Sequence, residues 1–132
     1  SSGNHDNRNY EADWGEKWQG LLEYTDENID DGDTNYDFKQ TNYDNQANQL
    51  LAKNLKGKLM LAHGNLDDNV PPYSTLLVVD ALIKENKDFD LIIFPNKRHG
   101  YGDMNNYFTR KKWDYFVKHL KGIEPPKEFE MK

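Results

Sequence analysis

Two short apolar runs constrain this chain more than anything else in it. Lys58-Leu59-Met60-Leu61-Ala62-His63 and Asp90-Leu91-Ile92-Ile93-Phe94-Pro95 are each a few β-forming residues long and bounded by turn formers, which predicts two strands. Between them, Tyr73 to about Asn86 holds Leu76, Leu77, Val78, Val79, Ala81, Leu82 and Ile83. A segment of that length, entered through Pro72, predicts a helix. Apolar residues on most of its circumference predict burial on more than one side. Strand, helix and strand in so short a span predict a βαβ crossover with parallel strands. Their near-continuous apolar character predicts cover on both faces. The fold class is α/β.

The chemistry-bearing residues follow the strands. The first strand runs into His63-Gly64-Asn65-Leu66-Asp67-Asp68-Asn69-Val70-Pro71-Pro72, and the second into Asn96-Lys97-Arg98-His99-Gly100. Loops at the carboxyl ends of parallel strands are where α/β proteins hold ligands. Neighbouring strands lie about 4.8 Å apart, so the loops carrying Asp67 and His99 open on one sheet edge. A carboxylate there can accept an imidazole Nδ1–H, fix the tautomer and leave Nε2 to deprotonate a hydroxyl. Asp before His is the chain order of one class of acyl-transfer triad. The spacing alone also fits a histidine that is only a hydrogen-bonded bystander.

A nucleophile is harder to place. The serines are Ser1, Ser2 and Ser74, cysteine is absent, and no Gly-x-Ser-x-Gly turn occurs. Ser74 stands at a helix start, where capping is its expected role. The expected place for a nucleophile is upstream of Ser1. The four histidines (His5, His63, His99 and His119) show no paired metal-ligand spacing, so neither a metal nor another cofactor is expected. His63 is expected to hydrogen-bond at its strand end, and His5 and His119 to lie at the surface. Asp26, Asn28 and Asp30 have the start of a calcium-loop spacing, but the glycine falls one residue late, at Gly32. A solvated acidic loop is the better reading.

Charge divides the chain of 132 residues. Residues 1–50 hold 12 acidic and 3 basic side chains, and residues 51–132 hold 11 and 14. The first part reads as an acidic, loop-rich segment with one helix; the second reads as a strand–helix–strand–helix core. A net charge of −6 argues against nucleic acid as a partner. No apolar stretch approaches the roughly 20 residues of a membrane helix, and no secretory leader is read. Tyr10, Trp14, Trp18 and Leu21 fall on one helical face. They are expected to pack into a core, with substrate stacking as the alternative. Asn45 to Leu55 reads as a short amphipathic helix through Ala47, Leu50 and Leu51. The last helix, about Asn106 to Leu120, is expected to bury Trp113, Phe116, Val117 and Leu120, and to stop at Gly122.

The run Leu61 to Val70 resembles the aspartate loop of the prolyl oligopeptidase family of serine peptidases, in its dipeptidyl peptidase IV branch. His99-Gly100-Tyr101 resembles the histidine loop of that branch. Ser2-Gly3-Asn4-His5-Asp6 and Trp14-Gly15-Glu16-Lys17-Trp18-Gln19-Gly20 resemble the segment that follows the nucleophile strand and helix. The resemblance covers nearly the whole chain and is looser in residues 21–50.

It implies that residues 1–132 are the C-terminal portion of an α/β-hydrolase fold, with the nucleophile half absent. It implies a peptide substrate cleaved after a penultimate proline or small residue, with Asp67 as triad acid and His99 as triad base. Asn69 would hydrogen-bond a substrate carbonyl, Val70 would line the proline pocket, and Gly64 and Gly100 would shape the loops. The remaining hydrolase half and a β-propeller would be the partners, with a homo-oligomer expected and a periplasmic or extracytoplasmic location suggested. The isolated chain is expected to be inactive. The alternatives are another α/β-hydrolase, such as an acylaminoacyl peptidase or esterase, and a non-catalytic interaction module.

Overall fold

The computed structural model describes residues 1–23 and 41–131. The calcium-like spacing at Asp26, Asn28 and Asp30 lies outside them. Among the described residues, five regular elements follow in order: α1 (Ala12–Gln19), β1 (Met60–Gly64), α2 (Pro72–Lys84), β2 (Asp90–Phe94) and α3 (Asn105–Lys121). Single 3₁₀ turns stand at Asn7–Asn9, Asp44–Gln46, Ala52–Asn54 and Gly102–Met104.

β1 and β2 pair in parallel, in register from Met60 opposite Asp90 to Gly64 opposite Phe94. Alternation along β1 sends successive side chains to opposite faces. Leu61 packs with Ala52, Val78 and Leu82 on the α2 side. Ala62 packs with Phe94, Tyr101 and Phe108 on the α3 side. β1 is therefore the central element, while β2 is covered less: Leu91 and Ile93 keep substantial exposure.

The helix ends obey local chemistry. Pro72 occupies the first turn of α2, where a missing N–H costs nothing. Gly122 closes α3 at φ +66°, its N–H bonding Lys118 O at 3.1 Å, and Lys118, His119 and Lys121 sit in the negative last turn.

Several expectations fail, each for a physical reason. α2 buries only the stripe Ser74, Thr75, Val78 and Leu82, leaving Leu76 and Ile83 exposed. α3 buries Phe108 but leaves Trp113, Phe116 and Leu120 exposed, Leu120 at 78%. A pair of strands is too narrow to cover a helix on two sides. The aromatic stripe of α1 is also exposed, Trp18 at 66%. The face of α1 that packs presents Gly15, where an added Cβ would meet Asn7 and the Tyr43 ring at 3.5 Å. Periodicity located an apolar face without saying what covers it.

Residues 45–55 form no amphipathic helix. Asn48 N–H is taken by His5 O at 2.9 Å, and the segment advances by i→i+3 bonds such as Leu50 N to Ala47 O and Asn54 N to Leu51 O. Asp6, buried, accepts from Arg8 at 2.8 Å and from the Gln49 amide, and Arg8 reaches Asp44 at 2.6 Å. These ties to the N-terminal segment override local helical preference.

Candidate active site

The two loops at the carboxyl end of the sheet are stitched together by backbone. Asn65 N–H donates to Phe94 O at 3.1 Å, and Leu66 N–H donates to Lys97 O at 3.0 Å. Asn96 N–H returns a bond to Asn65 Oδ1 at 2.6 Å. Such contact needs a residue without a side chain at the crossing. A Cβ on Gly64 would stand 2.3 Å from Lys97 O and 2.6 Å from Arg98 O. Gly64 therefore shapes the loops as expected. Gly100 does not: a Cβ there meets nothing within 4 Å, and Tyr101 takes the left-handed turn at φ +55°.

Tyr101 anchors the histidine loop. Its ring stacks on Phe94 at 4.5 Å and meets Phe108 edge-on at 4.9 Å. Its hydroxyl lies 3.0 Å from both Ala62 O and Ser2 Oγ. The buried ring and these bonds hold a backbone conformation that a bulky residue otherwise avoids.

This scaffold brings Asp67 and His99 together. His99 Nδ1 lies 2.9 Å from Asp67 Oδ2. The carboxylate has no exposed surface, whereas the imidazole is 45% exposed. The other carboxylate oxygen, Oδ1, accepts N–H bonds from Asn69 at 3.1 Å and Val70 at 3.0 Å. Burial alone would raise the Asp67 pKa; the Val70 N–H, the His99 N–H and the Asn69 N–H outweigh it and hold the carboxyl below its usual range. An ionised Asp67 accepts the Nδ1 proton of His99, which leaves His99 Nε2 as a base at the exposed end of the ring. Among the described residues no hydroxyl bonds that nitrogen. Ser2 Oγ is engaged by Tyr101, and Ser74 Oγ accepts His5 N–H at 3.0 Å, so Ser74 caps no helix end.

The other predicted site residues lie nearby. Asn69 Oδ1 accepts from Tyr10 OH at 2.9 Å, which links the N-terminal segment to the aspartate loop. The Val70 side chain is buried, and its backbone serves the site on both sides: N–H to Asp67, and C=O to His63 Nε2 at 2.9 Å. Asp68 pairs with Arg98 in the open, a contact worth little in water. His63 makes the strand-end hydrogen bonds expected of it. His5 and His119 are only half exposed: His5 bonds Asn48 at 2.9 Å and His119 packs on the Tyr115 ring at 4.3 Å. Among the described residues no three His, Asp or Glu side chains cluster to hold a metal, and no helix is long and apolar enough to cross a membrane.

Sequence reasoning missed Thr75 and the second imidazole on Asp67. A polar Ser74-Thr75 pair in a strongly apolar helix, and His63 four residues before Asp67, were the available signals.

The profile of the prolyl oligopeptidase family, Peptidase_S9, matches residues 1–122. Dipeptidyl peptidase family member 1 of Caenorhabditis elegans is 35% identical over 54 residues, 41% of this chain and 7% of that protein. A Bacteroides ovatus protein classed as a dipeptidyl aminopeptidase IV superposes with a TM-score of 0.70 at 23% identity, covering 90% of this chain and 15% of its own. Porphyromonas gingivalis dipeptidyl peptidase 4 superposes with a TM-score of 0.52 at 31% identity, covering 58% of this chain and 11% of its own. The fold is thus part of an α/β-hydrolase. The chain spans 7% of the curated relative's length and at most 15% of the two solved chains.

Proposed function

Because the chain belongs to the prolyl oligopeptidase family, we propose that it supplies the acid and base of a serine exopeptidase of the dipeptidyl peptidase type. The observation that carries the reading is the 2.9 Å bond from His99 Nδ1 to a carboxylate held by two backbone N–H groups. In this reading a serine outside these 132 residues attacks the peptide carbonyl. His99 Nε2 takes the serine proton and returns it to the leaving amine. Asp67 keeps the productive tautomer and stabilises the imidazolium that forms. Substrates are peptides with a penultimate proline or small residue. The amide of Asn69 donates to a substrate carbonyl, and Val70 lines the pocket for the penultimate side chain. The isolated chain is inactive, since none of Ser1, Ser2 and Ser74 bonds His99.

The test is hydrolysis by the full-length protein of Xaa-Pro and Xaa-Ala amides, compared with N-acylated amides and acyl esters. Preference for a free amino terminus and penultimate proline supports the reading. Preference for acylated substrates or esters replaces it with the acylaminoacyl peptidase or esterase alternative.

A second reading is favoured by a separate observation. Trp113, Phe116 and Leu120 form an exposed apolar row on α3, and a row of that kind serves association. The chain then acts also as an oligomerisation surface, whether or not it takes part in catalysis.

A further inference from the structure

Asp67 carries two imidazoles, and the acid–base chemistry above uses only one. The second, His63, lies on β1 with no exposed surface. Its Nε2 is 2.9 Å from Val70 O and 3.2 Å from Asp67 Oδ2. Both neighbours are acceptors, so Nε2 carries the proton; the N–H donates to Val70 O, and Asp67 Oδ2 lies beside it. Its Nδ1 is 2.7 Å from Thr75 Oγ1, and Thr75 is itself buried in the first turn of α2. The opposite neutral tautomer would set a bare Nε2 against two oxygens. Oδ2 of Asp67 thus receives His99 Nδ1–H and has the His63 ring against it at 3.2 Å, while Oδ1 receives the two backbone N–H groups. Three hydrogen bonds and that packed ring edge hold the carboxylate in place.

We propose that His63 is a positioning residue for the triad: as the Nε2–H tautomer held by Thr75, it fixes the Val70 carbonyl, and with it the Val70 N–H that Asp67 Oδ1 accepts, and its ring backs Oδ2 so that the carboxylate faces His99. The inference rests on the reading of Asp67 and His99 as acid and base. His63 touches neither substrate nor reacting atoms and acts through Asp67. When His99 accepts a proton, Asp67 must stay ionised and stationary; the His63 ring against Oδ2 and the Val70 N–H that His63 helps to hold oppose its swing.

The tautomer is measured first, on the unmodified 132-residue chain, by imidazole ¹⁵N NMR at neutral pH. The expected result is a protonated Nε2 and a bare Nδ1 on His63; a protonated Nδ1 overturns the proposal. Activity is then measured in the full-length enzyme with His63→Leu, His63→Gln, Thr75→Val and Thr75→Ser. His63→Leu should lower kcat on an Xaa-Pro amide about tenfold or more, as misplacement of a catalytic group does, with KM within about twofold. His63→Gln, which keeps an N–H near Nε2, should recover most of that loss, and Thr75→Ser should outperform Thr75→Val. Equal activity of the Leu and Gln variants, or a change confined to KM, overturns the proposal. If His63→Leu fails to fold, the tautomer and the Thr75 pair decide. Asp67→Asn is run alongside: retained activity there defeats the acid–base reading itself, whereas loss there with no His63 effect defeats only this inference.

Discussion

Asp67 and His99 meet at 2.9 Å across the boundary between core and solvent, the carboxylate fully buried and the imidazole nearly half exposed. The arrangement fixes one end of the ring and leaves the other open to a reacting group. Asp67→Asn keeps the shape but offers an amide where the imidazole needs an acceptor. In the full-length enzyme kcat should fall by on the order of 10⁴, the cost of the comparable change in a serine protease. Steady-state kinetics on an Xaa-Pro amide check this. A loss below about tenfold would show that Asp67 does not orient His99.

Gly64→Ala should be among the most damaging small substitutions in the chain. The added methyl meets the backbone carbonyls of Lys97 and Arg98, which cannot move without displacing the histidine loop. The expected cost is at the upper end of about 1–3 kcal/mol for overpacking. It should appear in the urea midpoint, with a matching loss of activity in the full-length enzyme. Gly100→Ala should lie within about 0.5 kcal/mol of wild type, since its Cβ would enter open space.

Tyr101→Phe removes the hydroxyl shared by Ala62 O and Ser2 Oγ and keeps the ring stack. Ala62 O retains the Ser2 N–H at 2.8 Å, so the loss should be modest, about 1 kcal/mol. Chemical denaturation measures it.

Stability should decline at acid pH. Asp67 and Asp6 both have carboxyls held below the reference value of 3.8. For Asp6, burial pushes up, and the Arg8 and Gln49 donors outweigh it. A depressed folded pKa means that the unfolded chain binds protons first as pH falls. The stabilisation is therefore present above the unfolded value and disappears as pH drops through the lower folded values. Urea denaturation between about pH 6 and about pH 3 should show the fall, and Asp6→Asn should make it shallower.

The exposed row on α3 predicts association. The purified chain should scatter light with a mass above its 15.5 kDa, and Phe116→Lys should shift it toward the monomer. A monomeric mass at high concentration counts against the interaction reading.

What was legible in the sequence follows from how local its determinants are. β1, α2, β2 and α3 were written in runs of apolar residues, and Pro72 and Gly122 marked real helix ends. The juxtaposition of Asp67 and His99 followed from parallel pairing alone, since both leave the same end of adjacent strands. Burial was less legible. Trp18, Phe116 and Leu120 are apolar and periodic, yet exposed, because periodicity records a face and not its cover. The segment 45–55 was misread because its backbone donors are claimed by His5 O, a contact remote in sequence. The role of Tyr101 was hidden for a similar reason: its left-handed backbone is tolerated only because Phe94, Phe108 and Ala62 surround it.

The central claim is that His99, oriented by Asp67, is the base that activates a serine. The most direct measurement is the rate of fluorophosphonate labelling of the full-length protein, read by intact mass for wild type and His99→Gln. The account predicts one adduct on the wild-type protein, on a serine outside these 132 residues, and labelling of the variant slower by at least about 10³. Equal labelling of the two, or an adduct on Ser74, would contradict it.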